Sequence, residues 1–249
     1  MCWNAQVSIF SFFIILGVSY GLYTRNLYND RLLAIFIISY GTMQLFETFM
    51  WLGQSKKWQI LNIIGSILAY LLLFFHPLAL MIGIKLDSLY TNIIDTFKYK
   101  ILFAMSSLFM LYGIYKTIYQ LFFDKNYINN FLTYPDKKTG HLIWRFQSKY
   151  NYAILLAVII GIFIIAPLNK LIFSLTLIIY YFIPILYIFI EDGNNFESSI
   201  KIITSKIENN DKYYGSFWCW IVAFFSFIMY LVNPYLQPKV ITENTKNAN

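Results

Sequence analysis

The sequence predicts an all-α integral membrane protein, a bundle of about seven transmembrane helices with a small β-hairpin loop on one face. Of its 249 residues, 59% are hydrophobic and only 12% are charged, and the mean hydropathy is +0.57. Soluble domains carry about 25% charged residues, so a water-soluble fold could not bury this much apolar surface. The chain has room for one membrane domain and for no sizeable soluble one.

Seven apolar segments are long enough to cross a bilayer, which takes about 20 helical residues because only internally hydrogen-bonded backbone is stable in hydrocarbon. They are residues 6–23, 31–52, 58–84, 100–123, 151–166, 171–190 and 214–232. The third is long enough to bend at His76 and Pro77, and we expect His76 to hydrogen-bond a backbone group freed by the bend. The seven segments predict a single domain, residues 1–236, and a polar tail, residues 237–249, that we expect to be disordered.

Seven crossings place the two termini on opposite sides of the membrane. We call the side that holds the amino terminus the amino-terminal side, and the other the opposite side. The second, fourth and sixth loops then share the amino-terminal side. Loop four is predicted to form a β-hairpin, because residues 131–134 and 141–144 flank a turn-rich segment. Loop six has apolar residues at helical spacing beside lysines, which is typical of an interfacial helix.

The basic residues do not decide which side faces the cytoplasm. A small excess of lysine and arginine favours a cytoplasmic amino-terminal side. The first span favours the reverse, since no basic residue precedes it and Arg25 and Arg31 follow it. The orientation therefore stays open.

All six tryptophans fall at the amino-terminal side, either at the end of a span or in a loop. They are Trp3, Trp51, Trp58, Trp144, Trp218 and Trp220. An aromatic belt explains tryptophan at a membrane interface, but a belt usually occupies both interfaces. The one-sided distribution leaves a second explanation open, an aromatic-lined cavity at this side.

Polar side chains share one face of the second predicted span. Tyr40, Gln44, Glu47 and Thr48 follow helical spacing. Glu47 lies about 9 Å inside the end of that helix, where a carboxylate is costly unless it is paired, neutral or in contact with water. Lys116 of the fourth span lies at a similar depth, which predicts an ion pair with Glu47. The alternative is that both side chains extend separately to the headgroups.

The candidate polar or ligand site combines these residues with Trp51, Trp218, Trp220 and His141. His141 belongs to loop four and would join the site if the loop folded over Glu47; an exposed loop histidine is the plainer hypothesis. With two cysteines and two histidines the chain has no metal-binding motif, so no metal and no cofactor are predicted. No phosphate-binding loop, dinucleotide fingerprint or catalytic triad is found in a suitable context.

The two cysteines, Cys2 and Cys219, both fall at the amino-terminal side. The first and last helices of a bundle are commonly neighbours, so the pair is predicted to be adjacent. A disulfide would need Cα atoms about 4.4 to 6.8 Å apart and an oxidising compartment. The alternative is that Cys219 packs between tryptophans and that Cys2 is a free or lipidated thiol.

Four short motifs stand out at the amino-terminal side. They are Met1-Cys2-Trp3-Asn4, Gln44-Leu45-Phe46-Glu47 with Trp51, Gly140-His141-Leu142-Ile143-Trp144 and Gly215-Ser216-Phe217-Trp218-Cys219-Trp220. Together they resemble a family of uncharacterised multi-span proteins of large DNA viruses that infect algae and protists. The resemblance implies a viral or protist origin and a host or virion membrane, and it brings no activity with it.

Three functions remain open. The first is a membrane-embedded site for a small solute or ion, in a permease-like or receptor-like protein, built from Gln44, Glu47, Lys116 and the tryptophans. The second is a structural or assembly protein of a viral or host membrane. The third and least favoured is a lipid-modifying enzyme with Glu47 and His141 as acid and base, which requires the two within about 3 Å or one bridging water.

The expected partners are membrane lipids, a small solute or ion, and further copies of the chain in a homo-oligomer. The net charge is +7. Its basic residues are scattered through short loops, however, rather than gathered on one face. Nucleic-acid binding is therefore not predicted.

Overall fold

The computed structural model describes residues 4–27, 29–87, 94–124, 129, 131–135, 142–144 and 218–232. The α-helices of this part are α1 (Ala5–Arg25), α2 (Asp30–Leu52), α3 (Gln59–Leu86), α4 (Phe97–Phe123) and α5 (Trp218–Val232), and a short 3-10 helix, Lys56–Trp58, precedes α3. The fifth and sixth predicted spans, the loop-six helix and the carboxyl tail lie outside the described residues.

Four of these helices are long and apolar enough to cross a membrane, namely α1, α2, α3 with its preceding 3-10 turn, and α4. Their bounds lie within three residues of the predicted spans, because polar or charged residues flank each apolar run. The chain is thus a mostly helical protein with apolar helices of membrane-spanning length. The count of seven crossings depends on residues outside the described part and stays a prediction.

Helices α2 and α3 form the centre of the bundle and bury more than half of the residues in their spans, whereas α1 and α4 bury fewer than a third. Helices α2 and α3 pack antiparallel over their whole length: Gly83 lies against Leu32 at one end and Gly53 against Asn62 at the other. Between them, a methyl group on Gly65 would come within 2.7 Å of the Phe46 carbonyl oxygen. Glycine therefore allows the two backbones to touch, and the contacts fix their register.

Helices α1 and α5 flank α2 on its other side. The buried residues of α1 form one stripe: Ser8, Ser11, Ile15, Ser19 and Leu22. Ile15 packs on Gly41 of α2, and Gly21 near the end of α1 packs on Tyr230 near the end of α5. Helix α5 thus runs parallel to α1, which is the direction that seven crossings require.

An ion pair closes the bundle at the opposite side. Asp30, which is fully buried at the start of α2, accepts hydrogen bonds from Arg25 Nε at 2.7 Å and Nη2 at 2.8 Å. The remaining guanidinium nitrogen, Nη1, donates to the Tyr230 carbonyl at 2.8 Å, and the guanidinium carbon lies 4.6 Å from the centroid of the Tyr230 ring. One arginine therefore joins α1, α2 and α5.

Among the described helices, α4 makes extensive contacts with α3 and with no other helix. The Phe74 ring of α3 lies against Gly113 and against Phe109, with 4.9 Å between the two phenyl centroids. At the opposite side the Tyr99 hydroxyl donates to the Met81 carbonyl at 3.0 Å. Helix α4 thus lies on the face of α3 that points away from α2.

The predicted hairpin in loop four is present but shorter than expected. Strands β1 (Tyr134–Pro135) and β2 (Leu142–Ile143) pair antiparallel, with Tyr134 opposite Ile143. Phe131 and Thr133 were expected within the first strand. They leave the ladder because both side chains are buried against the helices instead.

Candidate functional site

The polar face of α2 lies inside the protein. Gln44 and Glu47 have no exposed surface, and Tyr40 and Thr48 are less than a tenth exposed. The Thr48 hydroxyl donates to the Gln44 carbonyl at 2.9 Å, which satisfies it within its own helix. A carboxyl and an amide side chain are therefore enclosed by protein along a helix of membrane-spanning length.

The neighbouring face of α1 is lined with serine. Ile15 packs on Gly41 and the two helices run antiparallel, so Ser11 and Ser8 lie one and two turns further toward the amino-terminal side. Ser8 and Ser11 are both buried. The interior at the depth of Gln44 to Thr48 is thus polar on α1 as well as on α2.

His76 of α3 extends the polar face toward the membrane centre. Its ring stacks on the Tyr40 ring, with 3.9 Å between centroids and 2° between planes. The imidazole hydrogen-bonds the backbone of Ser39, in the neighbouring helix α2. The expectation that His76 satisfies a carbonyl freed by a bend is wrong. Helix α3 continues through Pro77, and the bond crosses to α2.

Three buried polar atoms around this face have no hydrogen-bond partner among the residues that the structure describes. They are Trp51 Nε1, Ser66 Oγ and His76 Nε2. An unsatisfied polar group in an apolar interior costs about 1 to 3 kcal/mol, which a bound solute or water molecule removes. Nδ1 is the nitrogen left to donate to the Ser39 backbone carbonyl. In a neutral His76, Nε2 is then an acceptor.

Lys116 does not pair with Glu47 in the described part of the chain. Its Nζ lies 5.6 Å from the centroid of the Tyr112 ring, one turn back on α4. The cause is the packing order, because α4 lies on α3 while Glu47 belongs to α2. The two residues were predicted at a similar depth in the membrane, but a similar depth does not place them on neighbouring helices.

The three tryptophans whose side chains the structure describes differ in burial. Trp144 is buried and Trp51 is partly buried, whereas Trp58 is half exposed beneath the Lys57 ammonium, 5.6 Å from the ring centroid. Trp218 and Trp220 lie in the first turn of α5, but their side chains are outside the described part, as is Trp3. Whether the tryptophans line one cavity therefore stays a prediction.

Other predicted site residues also fall outside the description. Cys2 and His141 are not described, and only the helical position of Cys219 is. Adjacency of the cysteines and a role of His141 stay predictions. Among the residues that were placed, no group of three histidine, cysteine, aspartate or glutamate side chains is arranged to hold a metal ion.

Two contributors near the site were missed at the sequence level. Asn62, in the first turn of α3, is buried and binds the loop-four backbone, and His76 joins the α2 face through its stack with Tyr40. The short turn from Gly53 to Trp58 was the available signal. It makes α2 and α3 an antiparallel pair and so places His76 level with Ser39 and Tyr40.

Comparison with known proteins reveals one informative similarity. The chain is 30% identical over 172 residues to an uncharacterized protein of Acanthamoeba polyphaga mimivirus. The relative is viral. The aligned part covers 60% of this chain and 66% of the relative, so the chain spans just under two thirds of the relative's length. No family model matches the chain, and neither does any solved structure.

This similarity supports a relationship to uncharacterised proteins of large DNA viruses of protists, as the resemblance of the motifs implied. The relative is itself uncharacterized and brings no activity to the comparison. Function must therefore be argued from the polar face of α2 and its surroundings.

Proposed function

We propose that this chain is a multi-pass protein of a viral or host membrane that binds a small solute or ion on the polar face of α2, in the manner of a permease or a receptor. The observation that carries the proposal is the complete burial of Gln44 and Glu47 on a helix of membrane-spanning length. Ionisable residues within spans are costly, and they commonly mark a substrate or ion path.

The surroundings favour a cation or a hydrogen-bond donor as the ligand. The face offers the carboxyl group of Glu47, the hydroxyl group of Tyr40 and the acceptor Nε2 of His76. Carboxylate and hydroxyl oxygens are ligands that small cations prefer. A proton, an alkali ion or an ammonium ion would suit this set.

The test uses the full chain reconstituted in lipid vesicles. We expect uptake of protons, sodium, rubidium or ammonium ions, followed with a pH-sensitive dye or radiolabelled ions, and we expect Glu47→Gln to abolish it while preserving the fold. Ser107→Ala is the matched control: the Ser107 hydroxyl donates to the Phe103 carbonyl of its own helix, on α4, and its loss should leave uptake unchanged.

A receptor-like protein would bind without transport. The same ions should then raise the melting temperature of the wild-type protein in detergent, because a ligand that binds only the folded state stabilises it. Glu47→Gln should remove this shift. If the ions cause neither uptake nor a shift in melting temperature, the proposal fails.

The alternative is a structural or assembly protein of the membrane. The observation that favours it is the close contact of α2 and α3, where Gly65 and Gly83 leave no space for a side chain. A bundle packed in this way along its whole length would need no ligand. Failure of both ion experiments would favour this role. The lipid-modifying enzyme has no support from the described residues, because His141 lies outside them.

A further inference from the structure

A short piece of loop four covers the amino-terminal end of the bundle. Asn62, almost fully buried in the first turn of α3, holds it in place. Its Oδ1 accepts from the Thr133 amide at 2.9 Å and from the Thr133 hydroxyl at 3.0 Å, while Nδ2 donates to the Thr133 carbonyl at 2.9 Å. The asparagine thus pairs with the loop backbone as a neighbouring β-strand would.

Thr133 also lies close to the end of α2, because its carbonyl shares two hydrogen-bond donors with the Met50 carbonyl. Asn62 Nδ2 lies 3.3 Å from the Met50 carbonyl, and Gln54 Nε2 donates both to that carbonyl at 2.8 Å and to the Thr133 carbonyl at 3.3 Å. Met50 is three residues beyond Glu47. Thr133 therefore lies near the ends of α2 and α3, beside Met50, which is less than one turn beyond Glu47.

Phe131 extends from this position into the bundle. It is fully buried, and its ring meets the Tyr70 ring edge-on, with 5.9 Å between centroids. Because Gly65 lies against Phe46 and Met50 in the antiparallel pair, Tyr70 lies level with the stretch from Gln44 to Glu47. The phenyl ring therefore reaches the depth of the proposed site.

The returning strand supplies the rest of an apolar underside. Leu142, Ile143 and Trp144 are all buried, and the ladder of β1 and β2 joins them to the strand that follows Thr133. We call the described residues 131–135 and 142–144 the cover. Its buried side chains are apolar except for that of Thr133, through which neutral hydrogen bonds attach the cover to the helices.

We propose that the cover is a lid that closes the amino-terminal entrance to the site around Gln44 and Glu47, with Asn62 as the residue that holds it shut. This proposal rests on the proposed function, since it assigns an entrance to that site. Opening would exchange the three hydrogen bonds between Asn62 and Thr133, and the bond from Gln54 to the Thr133 carbonyl, for bonds to water. It would also withdraw Phe131 from Tyr70. The ligand would then reach the site from the amino-terminal side.

The experiment measures whether the cover limits access to the polar face. In the full chain carrying Cys2→Ser and Cys219→Ser, Thr48→Cys introduces a single thiol next to Glu47. The protein is reconstituted in vesicles, and a charged, membrane-impermeant methanethiosulfonate reagent is added to one side at a time. We expect slow modification from one side and none from the other.

Adding Asn62→Leu should speed this modification about tenfold or more, the change that a loss of about 1.4 kcal/mol in closure corresponds to. Gln54→Ala removes only one donor to Thr133 and should give a smaller increase. Asn4→Ala is the matched control. It removes an exposed side chain whose Oδ1 accepts from the Val7 amide and so caps α1, on the same side of the membrane, without touching the cover.

A second reporter separates opening of the lid from unfolding. Ala79→Cys places the thiol at a fully buried position in the opposite half of α3. Its reactivity should stay low in Asn62→Leu. If it rises there, Asn62→Leu has loosened the fold as a whole. The milder Gln54→Ala variant, measured with the same two thiols, then tests the lid. Equal reactivity of the Thr48→Cys thiol with and without the lid substitutions, while the Ala79→Cys thiol stays protected, would overturn the lid. Because the readout is thiol accessibility, loss of ion uptake would refute the proposed function without refuting the lid.

Discussion

The two ends of the bundle are closed by different chemistry. At the opposite side, the buried carboxylate of Asp30 meets Arg25 in a two-bond ion pair, and Asp87 accepts from the Leu32 amide at 3.3 Å at the start of α2. At the amino-terminal side, Asn62 and Gln54 hold a loop segment through neutral hydrogen bonds. Charge-assisted, two-bond pairs are roughly twice as strong as neutral bonds.

The difference indicates which end can open. Breaking the pair of Arg25 and Asp30 would leave the buried Asp30 carboxylate without its cation, at the point where α1, α2 and α5 meet. Releasing Thr133 from Asn62 costs only neutral bonds that water replaces. We therefore expect the opposite end to be a fixed hinge and the amino-terminal end to be the one that moves.

The largest expected effect is at the ion pair. Arg25→Met leaves Asp30 buried without its cation and should lower the free energy of unfolding by about 3 to 5 kcal/mol. The measurement is denaturant unfolding of the purified protein in detergent micelles. Replacing both residues, as Arg25→Met with Asp30→Leu, should recover part of the loss, because no unpaired charge remains. A loss below about 1 kcal/mol in the single variant would show that the pair does not fix this end.

The next effect tests the contact between the two central helices. Gly65→Ala would place a methyl group 2.7 Å from the Phe46 carbonyl oxygen, which cannot move without shifting α2. We expect a loss of about 1 to 3 kcal/mol, as is usual for overpacking. Gly17→Ala in α1 is the matched control, since nothing lies within 4 Å of its added methyl group and alanine favours a helix. If the two variants unfold alike, α2 and α3 do not pack as closely as described.

The extent of the helices was predictable from the sequence, because apolar runs of span length are bounded by polar residues. The hairpin and the polar face of α2 followed in the same way, from turn residues and from helical spacing. Asp30 was less predictable. The predicted second span began at residue 31, but Asp30 begins α2, because its carboxylate accepts from the Leu27 amide and pairs with Arg25 five residues earlier.

What spacing could not provide is the order in which helices surround one another. It gives the depth of a residue and the face it shares with residues on the same helix, but it does not say which helix lies opposite. His76 was expected to bond a backbone group freed by a bend, yet it stacks on Tyr40 of the polar face of α2. Asn62 was passed over because its partner, Thr133, is 71 residues away in the chain.

A smaller effect is expected at the stack of Tyr40 and His76. His76→Phe keeps an aromatic ring against Tyr40 but removes the bond to the Ser39 backbone, so it should cost about 1 kcal/mol of unfolding free energy. His76→Leu also removes the ring contact and should cost about 0.5 to 1.5 kcal/mol more. The comparison uses the same unfolding assay. Equal losses would mean that the stack contributes nothing beyond the volume it fills.

The smallest expected effect is at Lys116, and it separates the observed packing from the predicted ion pair. Lys116→Met removes a cation that lies near the Tyr112 ring on a partly exposed face of α4, so it should cost about 0.5 kcal/mol. Were Lys116 the partner of the buried Glu47, its loss would leave a charge uncompensated and would cost about 3 to 5 kcal/mol, as at Arg25. Arg25→Met is thus the reference for a buried pair within the same molecule. A loss above about 2 kcal/mol in Lys116→Met, with recovery when Glu47→Gln is added, would show that α4 approaches α2 after all and that the two ends of the bundle are closed by similar chemistry.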